Sequence, residues 1–339
     1  MTKTKKLTVN HIAEIMNVSR ATVSRALNGS PGVGEELKKK ILDFARENGH
    51  SITNSISSRL NSIKTKIIGL VFGDVRNPFY ADLTFHVQQE LNKYGYTVMI
   101  FNSEYHIEKE LEFIKIAYES NLAGIILFTA QTGMSNIREQ AGNIPIIFVN
   151  RSLDFINYDS VTIDNFKAGY IAAMHLIELG HKRIGFISGQ STSSSSLQRV
   201  DGFKQAMKNC FLPIDERDLM IGDLTLNTGY KLAGQFFRKK SRPSALILGN
   251  DMTALGFLDW CKSHNISIPE ELSIVSFDDI LFSRLQGIEL TTISQHVEDM
   301  GKKAAKLIVD RINNPNLPHK RIILEPTLIS RKTVSPYLV

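Results

Sequence analysis

Hydrophobic positions in the first fifty residues recur at helical spacing. Ile12, Ile15 and Met16 share one face of a first helix that Thr8 can cap, and His11 stands where a capping box has Glu or Gln, so that cap reads as half made. Asn17 tolerates a left-handed turn, and Ser19 caps a second helix running to about Leu27. After "GSPGVG" breaks the chain, a third helix from Glu35 to about Asn48 carries Leu37, Ile41, Phe44 and Ala45 on one stripe. Residues 49–66 are rich in Ser and Asn and poor in strong helix formers, which marks a linker.

Beyond residue 66 the period changes. The short apolar runs "KIIGLVF", "YTVMIF", "AGIILF", "IPIIFVN", "SVTID", "KRIGFIS", "SALILGN" and "LSIVSFDD" alternate with amphipathic stretches such as Tyr80 to Tyr94 and Gly169 to Leu179. Such alternation predicts parallel sheets flanked by helices. Two sheets fit this length better than one, and two sheets imply two lobes with a cleft between them.

Charge sharpens the division. The net charge of the 339 residues is +6. Residues 1–66 hold twelve Lys/Arg against five Asp/Glu, or +7, which leaves 28 against 29, or −1, for the rest. A basic front domain suits a polyanion. Only Cys210 and Cys261 occur, far apart and without histidines at metal-ligand spacing, so neither a disulfide framework nor a metal site is indicated. The N-terminal lysines are not followed by the apolar stretch of a secretion signal, and no run reaches the length of a membrane span; a cytoplasmic protein without membrane contact is expected.

The front domain predicts a helix-turn-helix. On the second helix Val23, Ala26 and Leu27 face Ile12 and Ile15, while Arg20, Ala21, Ser24, Arg25 and Asn28 face outward. Arginine can pair bidentately with guanine and alanine can touch a thymine methyl, so Arg20, Ala21 and Arg25 are the expected base readers. Ser19, Thr22 and Ser24 at the helix start suit phosphates.

These residues resemble the LacI-type transcriptional regulators along nearly the whole chain. "LTVNHIAEIMNVSRATVSRALNG" is similar to the family's N-terminal signature, and "IGLVFGDVRNPFY" to the start of its sensor domain. "HLIELGHKRIGFISG", "NDMTALG", "LSIVSFDD" and "LTTISQHVEDMGKKA" resemble later family blocks in the right order. The resemblance implies a small all-α helix-turn-helix domain followed by an α/β, two-lobed, type I periplasmic-binding-protein-like domain with two Rossmann-like parallel sheets. The domains expected are 1–50 for DNA binding, 51–66 for a hinge linker and 67–339 for effector binding and dimerisation. Within the last, one lobe takes about 67–163 plus 293–324 and the other about 164–292 plus 325–339.

In that family the linker forms a hinge helix on DNA and wedges a leucine into the minor groove. The resemblance places that leucine at Leu60 and the hinge asparagine at Asn54, although the family's Ala-Arg-Ser-Leu is here Ser57, Ser58, Arg59, Leu60.

Ligand sites in open α/β sheets lie beyond the carboxyl ends of strands. The expected effector residues are Gly73 and Asp74 after "IIGLVF", Asn150 after "IIFV" with Arg151 next to it at the same strand end, Asn250 after "ALILG", and Asp278 after "SIVSF". Arg199 joins them as the match to a family arginine, and Phe79 either lines the cleft or packs under it. A carboxylate, amides and a guanidinium suit a sugar or other polyhydroxylated metabolite. Where sugar-binding relatives place aromatic faces, Ile163 and Leu224 stand here, which opens the field to smaller, phosphorylated or purine-like effectors. Ser193 to Ser196 read better as a polar loop than as a hydroxyl or phosphate site, and Asp251 equally well as a cap or a ligand.

The function expected is a sequence-specific transcriptional regulator, most readily a repressor. It would act as a homodimer on a pseudo-palindromic duplex under a small-molecule effector. No P-loop, G-x-S-x-G or His-Glu-x-x-His motif appears, so neither an enzyme nor a cofactor is expected. The alternative is a solute-binding protein of a transport system. The effector's identity, the duplex sequence, and whether ligand releases or recruits DNA stay open at this level.

Overall fold

The computed structural model describes residues 8–27, 32–47, 65–129, 134–151 and 158–337. The chain divides into two compact units, residues 1–65 and 66–339.

In the first unit α1 (Val9–Ile15), α2 (Arg20–Leu27) and α3 (Glu35–Glu47) enclose a small core of Ile12, Ala13, Val23, Ala26, Leu27, Ile41 and Ala45. Asn17 takes the expected left-handed turn at φ 51°, and Ser19 Oγ accepts from Thr22 N at 3.0 Å. Two details depart from expectation. His11 closes the capping box after all: Thr8 Oγ1 accepts from His11 N and His11 Nδ1 accepts from Thr8 N, each at 3.4 Å. An imidazole nitrogen thus replaces the carboxylate of the usual motif. Ile15 is 59% exposed rather than packed on α2. The inward stripe of α1 is centred on Ile12 and Ala13 with Val9 and Met16 beside it, and Ile15 lies off its edge.

The second unit holds two six-stranded sheets. The first is built from β1 (Ile67–Phe72), β2 (Thr97–Asn102), β3 (Gly124–Leu127), β4 (Ile146–Val149), β5 (Asp159–Ile163) and β11 (Arg321–Leu324), in the order β11-β5-β4-β3-β1-β2 and parallel throughout. The second is built from β6 (Ile184–Ser188), β7 (Leu219–Ile221), β8 (Ala245–Leu248), β9 (Ser273–Asp278), β10 (Thr291–Ser294) and β12 (Thr327–Ile329), in the order β12-β10-β9-β8-β6-β7. There only the β10–β12 pair is antiparallel. The central strands β3, β4, β8 and β9 are buried along their whole length, as strands covered on both faces must be.

Helices cover these faces: α4 (Pro78–Asn92), α5 (Ile107–Glu119), α6 (Met134–Ala141), α7 (Asn165–Glu178), α8 (Ser194–Asn209), α9 (Leu226–Phe237), α10 (Asp251–Ser263) and α11 (Val297–Asn313). Two begin earlier than their apolar pattern suggests because polar caps precede it. Asn77 accepts from Phe79 N at 3.0 Å to start α4, and Asp164 accepts from Lys167 N at 2.8 Å to start α7.

The chain passes between the sheets at Asp164, at Gln295–His296 and at Glu325–Pro326. β10 lies wholly in the second sheet, so the middle passage falls after Ser294 rather than at 293. The crossings are tied together. Asp164 N donates to Leu324 O at 3.0 Å, Lys167 pairs with Glu325 at 2.5 Å, and His296 Nε2 lies 2.9 Å from Thr327 Oγ1.

Candidate functional site

Strands of both sheets end at the gap between the lobes. Gly73 and Asp74 follow β1, Asn150 and Arg151 follow β4, Asn250 follows β8, and Asp278 closes β9. With Phe79 of α4 and Arg199 of α8, they line one cavity of about 570 Å³. Every residue expected at the cleft is therefore in its wall.

Arg199 is the most constrained of them. Its Nε donates to Asn165 Oδ1 at 2.9 Å and its Nη1 to Gly249 O at 2.9 Å, while the guanidinium lies 4.5 Å from the Phe277 ring centroid. Gly169 makes this placement possible, since a Cβ there would fall 1.9 Å from Arg199 O; α7 and α8 pack backbone to backbone. Asp278 Oδ1 stands 3.9 Å from Arg199 Nη1 and accepts from Gln295 Nε2. Burial pushes the Asp278 carboxyl up to about 7 even though Arg199 pulls it down. The same burial lowers Arg199.

The others contribute unequally. Asn250 caps α10: its Oδ1 accepts from Thr253 N at 2.9 Å and Thr253 Oγ1 at 2.7 Å, and its Nδ2 donates to Leu224 O at 3.0 Å. One Nδ2 hydrogen is all it can offer the cavity. Asp74 is clamped by Arg76 through two bonds of 2.9 Å, which holds it below the usual carboxylate range. Phe79 is buried and still reaches the wall. Asp251 lies beneath the cavity and accepts from Ser276 Oγ, Thr292 Oγ1 and Ile280 N, tying β9, β10 and the turn between them.

Several wall residues escape the sequence reading: Tyr80, Tyr105, Gln190 and Gln295. Tyr105 enters from the loop after β2 and supplies an aromatic face where Ile163 and Leu224 left one in doubt. Ile163 is in the core, and Leu224 is in the wall. Gly73 admits the Tyr105 ring, since a Cβ at Gly73 would meet it at 2.1 Å. Arg151, found at a strand end beside Asn150, is in the wall as well, and the same rule could have found Tyr105 after β2. Gln295 has no such signal, because it sits on a crossing. The serines, expected in a loop, form the cap and first turn of α8, and Ser193, Ser195 and Ser196 line the cavity.

In the first unit Ser19, Arg20, Ala21 and Arg25 are exposed, and Thr22 and Ser24 are half-buried. The Ser19 and Thr22 hydroxyls bond each other at 2.8 Å. Asn28, Asn54 and Leu60 lie outside the described residues.

A helix-turn-helix unit carried on the same chain as a two-lobed, cleft-bearing sensor defines a ligand-responsive DNA-binding regulator. The comparisons agree. Residues 65–334 match the family described as periplasmic binding proteins and sugar binding domain of LacI family, and residues 8–51 match bacterial regulatory proteins, lacI family. The chain belongs to the LacI family of transcriptional regulators. It is 28% identical over 335 residues to the HTH-type transcriptional regulator DegA of Bacillus subtilis (strain 168), covering 98% of this chain and 99% of that one. It is 30% identical over 328 residues to the NTD biosynthesis operon regulator NtdR of the same organism, covering 96% and 99%. A solved LacI family regulator from Enterococcus faecium with bound ribose shares 26% identity and a TM-score of 0.73, over 80% of this chain and 100% of that one. Among the described residues no group of His, Cys, Asp or Glu is placed to hold a metal, and no helix is long and apolar enough to cross a membrane.

Proposed function

We propose that this regulator is a cytoplasmic repressor whose cavity takes a sugar or related polyhydroxylated metabolite, and that occupancy of the cavity sets its affinity for duplex DNA. The carrying observation is that Asn150 Oδ1 and Gln295 Oε1, both buried acceptors without a hydrogen-bond partner among the described residues, line the same cavity as Asp278 and Arg199. Ligand hydroxyls can donate to the acceptors and accept from the guanidinium. Because Gln295 is itself a crossing residue, a ligand that engages it acts on the joint between the lobes. The ribose bound by the Enterococcus faecium relative supports the same class.

Gly73, Asp74, Phe79, Asn150, Arg199, Asn250 and Asp278 form the proposed effector site, with Asn250 and Asp74 acting mainly by shaping it. Ser19, Arg20, Ala21, Thr22, Ser24, Arg25 and Asn28 form the proposed DNA face, with Asn54 and Leu60 at the hinge. Working as a homodimer fits the apolar side chains left exposed: Phe85 on α4, Met99 and Ile100 on edge strand β2, and Leu281, Phe282 and Leu285 after β9.

The test is thermal denaturation of the purified protein against sugars, sugar phosphates and nucleobases, followed by duplex binding with and without each hit. A hit that raises the melting temperature, loses its effect in Asp278→Asn and changes duplex affinity is expected. Hits that act equally on Asp278→Asn would overturn the site.

A further inference from the structure

Arg151 stands out in the cavity wall because its charge has no counter-charge among the described residues. It is 7% exposed and projects from the end of β4. Its Nη1 donates to Ser193 Oγ across the cleft, and its Nε is buried without a partner among the described residues. Among those residues no carboxylate lies within ion-pair distance of it. The acids of the same wall are committed elsewhere: Asp74 to Arg76, Glu104 to Lys109, and Asp223 to Thr225, whose backbone N and Oγ1 both donate to it. Asp278 already faces Arg199 and Gln295. Arg151 is also close enough to Arg199 to disfavour the latter's charge. A buried, unpaired cation costs several kcal/mol, and a bound counter-charge removes most of that cost.

The serines complete the site. Ser193 caps the sixteen-residue helix α8, whose first turn holds no acidic residue, and Ser195 and Ser196 of that turn line the cavity. Ser195 Oγ donates to Asn150 O at 3.2 Å, so Asn150–Arg151 and the helix start are held against each other from opposite lobes. A helix N-terminus carries partial positive charge and suits an oxyanion.

Given that the cavity is an effector site, we propose that its effector carries an oxyanion, a phosphate ester or a carboxylate, seated on Arg151, the Ser193 hydroxyl and the first turn of α8. The uncharged, hydroxylated part of the effector faces Asp278, Arg199 and Gln295. An anion bridging Arg151 and α8 adds to the bonds that already hold these two sides of the cleft against each other.

The test uses the full-length protein with inorganic phosphate and acetate as probes, each up to about 20 mM and matched to chloride in ionic strength, with melting temperature as the readout. Phosphate, acetate or both are expected to stabilise the wild type beyond chloride, and which of them does so tells a phosphate ester from a carboxylate. In Arg151→Gln the response should need at least about tenfold more anion, as the loss of a charge-assisted pair requires. Arg151→Lys should keep part of it, and Lys240→Gln, a charge loss at an exposed position, should keep all of it. In chloride alone Arg151→Gln should melt no lower than the wild type, because an unbalanced buried charge has been removed. An equal anion response in wild type and Arg151→Gln overturns the proposal, as does a wild type that answers neither anion. The effector-cavity reading survives either result if a neutral sugar still stabilises the wild type and not Asp278→Asn.

Discussion

Gln295 donates through Nε2 to Oδ1 of Asp278, and this bond joins the carboxylate of the cavity wall to a segment that crosses between the lobes. Both side chains are nearly inaccessible to solvent, and Gln295 Oε1 is left without a partner among the described residues. A ligand bonded to Asp278 therefore competes with, or adds to, the restraint on the middle crossing. Gln295→Leu removes that restraint while leaving Arg199 in place. The expected result is effector binding weakened by about five- to fiftyfold, as for one or two buried hydrogen bonds, and a reduced ratio of duplex affinities with and without effector. Calorimetry and fluorescence anisotropy measure the two quantities; an unchanged ratio rules out coupling through this pair.

Asp278 also gives the protein a pH signature. Burial raises its carboxyl to about 7 in the folded state, against about 4 in an unfolded chain. The fold thus prefers the protonated form, so this contribution to stability is present near about pH 4 and is lost as pH rises through 7. Melting temperature should fall between about pH 4 and 7, and Asp278→Asn should flatten the fall. Calorimetric scans across that range check it, and parallel curves for the two proteins would count against it.

Asn165 acts on the cavity from behind. Its Oδ1 holds Arg199 Nε, and its Nδ2 lies 3.3 Å from Ile163 O at the end of β5. Asn165→Ala leaves a buried guanidinium nitrogen unpaired and should cost about 1–3 kcal/mol of stability together with a marked loss of effector affinity. Denaturant melts and titration of the same variant separate the two effects.

Much of this was legible beforehand. Every apolar run named as a strand became one; the inner parallel strands have no solvent face and so read as nearly continuous apolar runs, while edge strand β2 reads the same way with Met99 and Ile100 left exposed. β7, β10, β11 and β12 were not visible, being short or mixed: β7 has three residues, β11 alternates exposed with half-buried residues and β10 is half threonine. The cavity residues at strand ends followed from topology, whereas Gln295 and Asn165 depend on where the crossings bring the lobes together, which no local pattern records. Asn250 lies at the strand end where the sequence places it, with its side chain largely engaged by Thr253 and Leu224.

On the DNA side, Arg20 and Arg25 project from α2 with exposed side chains. Replacing either by alanine should cost about 1–3 kcal/mol on a specific duplex and relax preference at one base of each half-site. Leu60→Ala should weaken the specific complex far more than the nonspecific one. Competition binding at two salt concentrations measures both, and equal losses on specific and nonspecific duplexes would remove Leu60 from the account.

The most direct measurement is selection of bound duplexes from a random library by the purified full-length protein, repeated with Arg20→Ala. The account predicts a two-fold pseudo-palindrome with a flexible pyrimidine–purine step at its centre, and loss of the same base preference from both half-sites in the variant. Enrichment of an asymmetric single site, or a consensus unchanged by Arg20→Ala, would contradict a homodimer that reads DNA through α2.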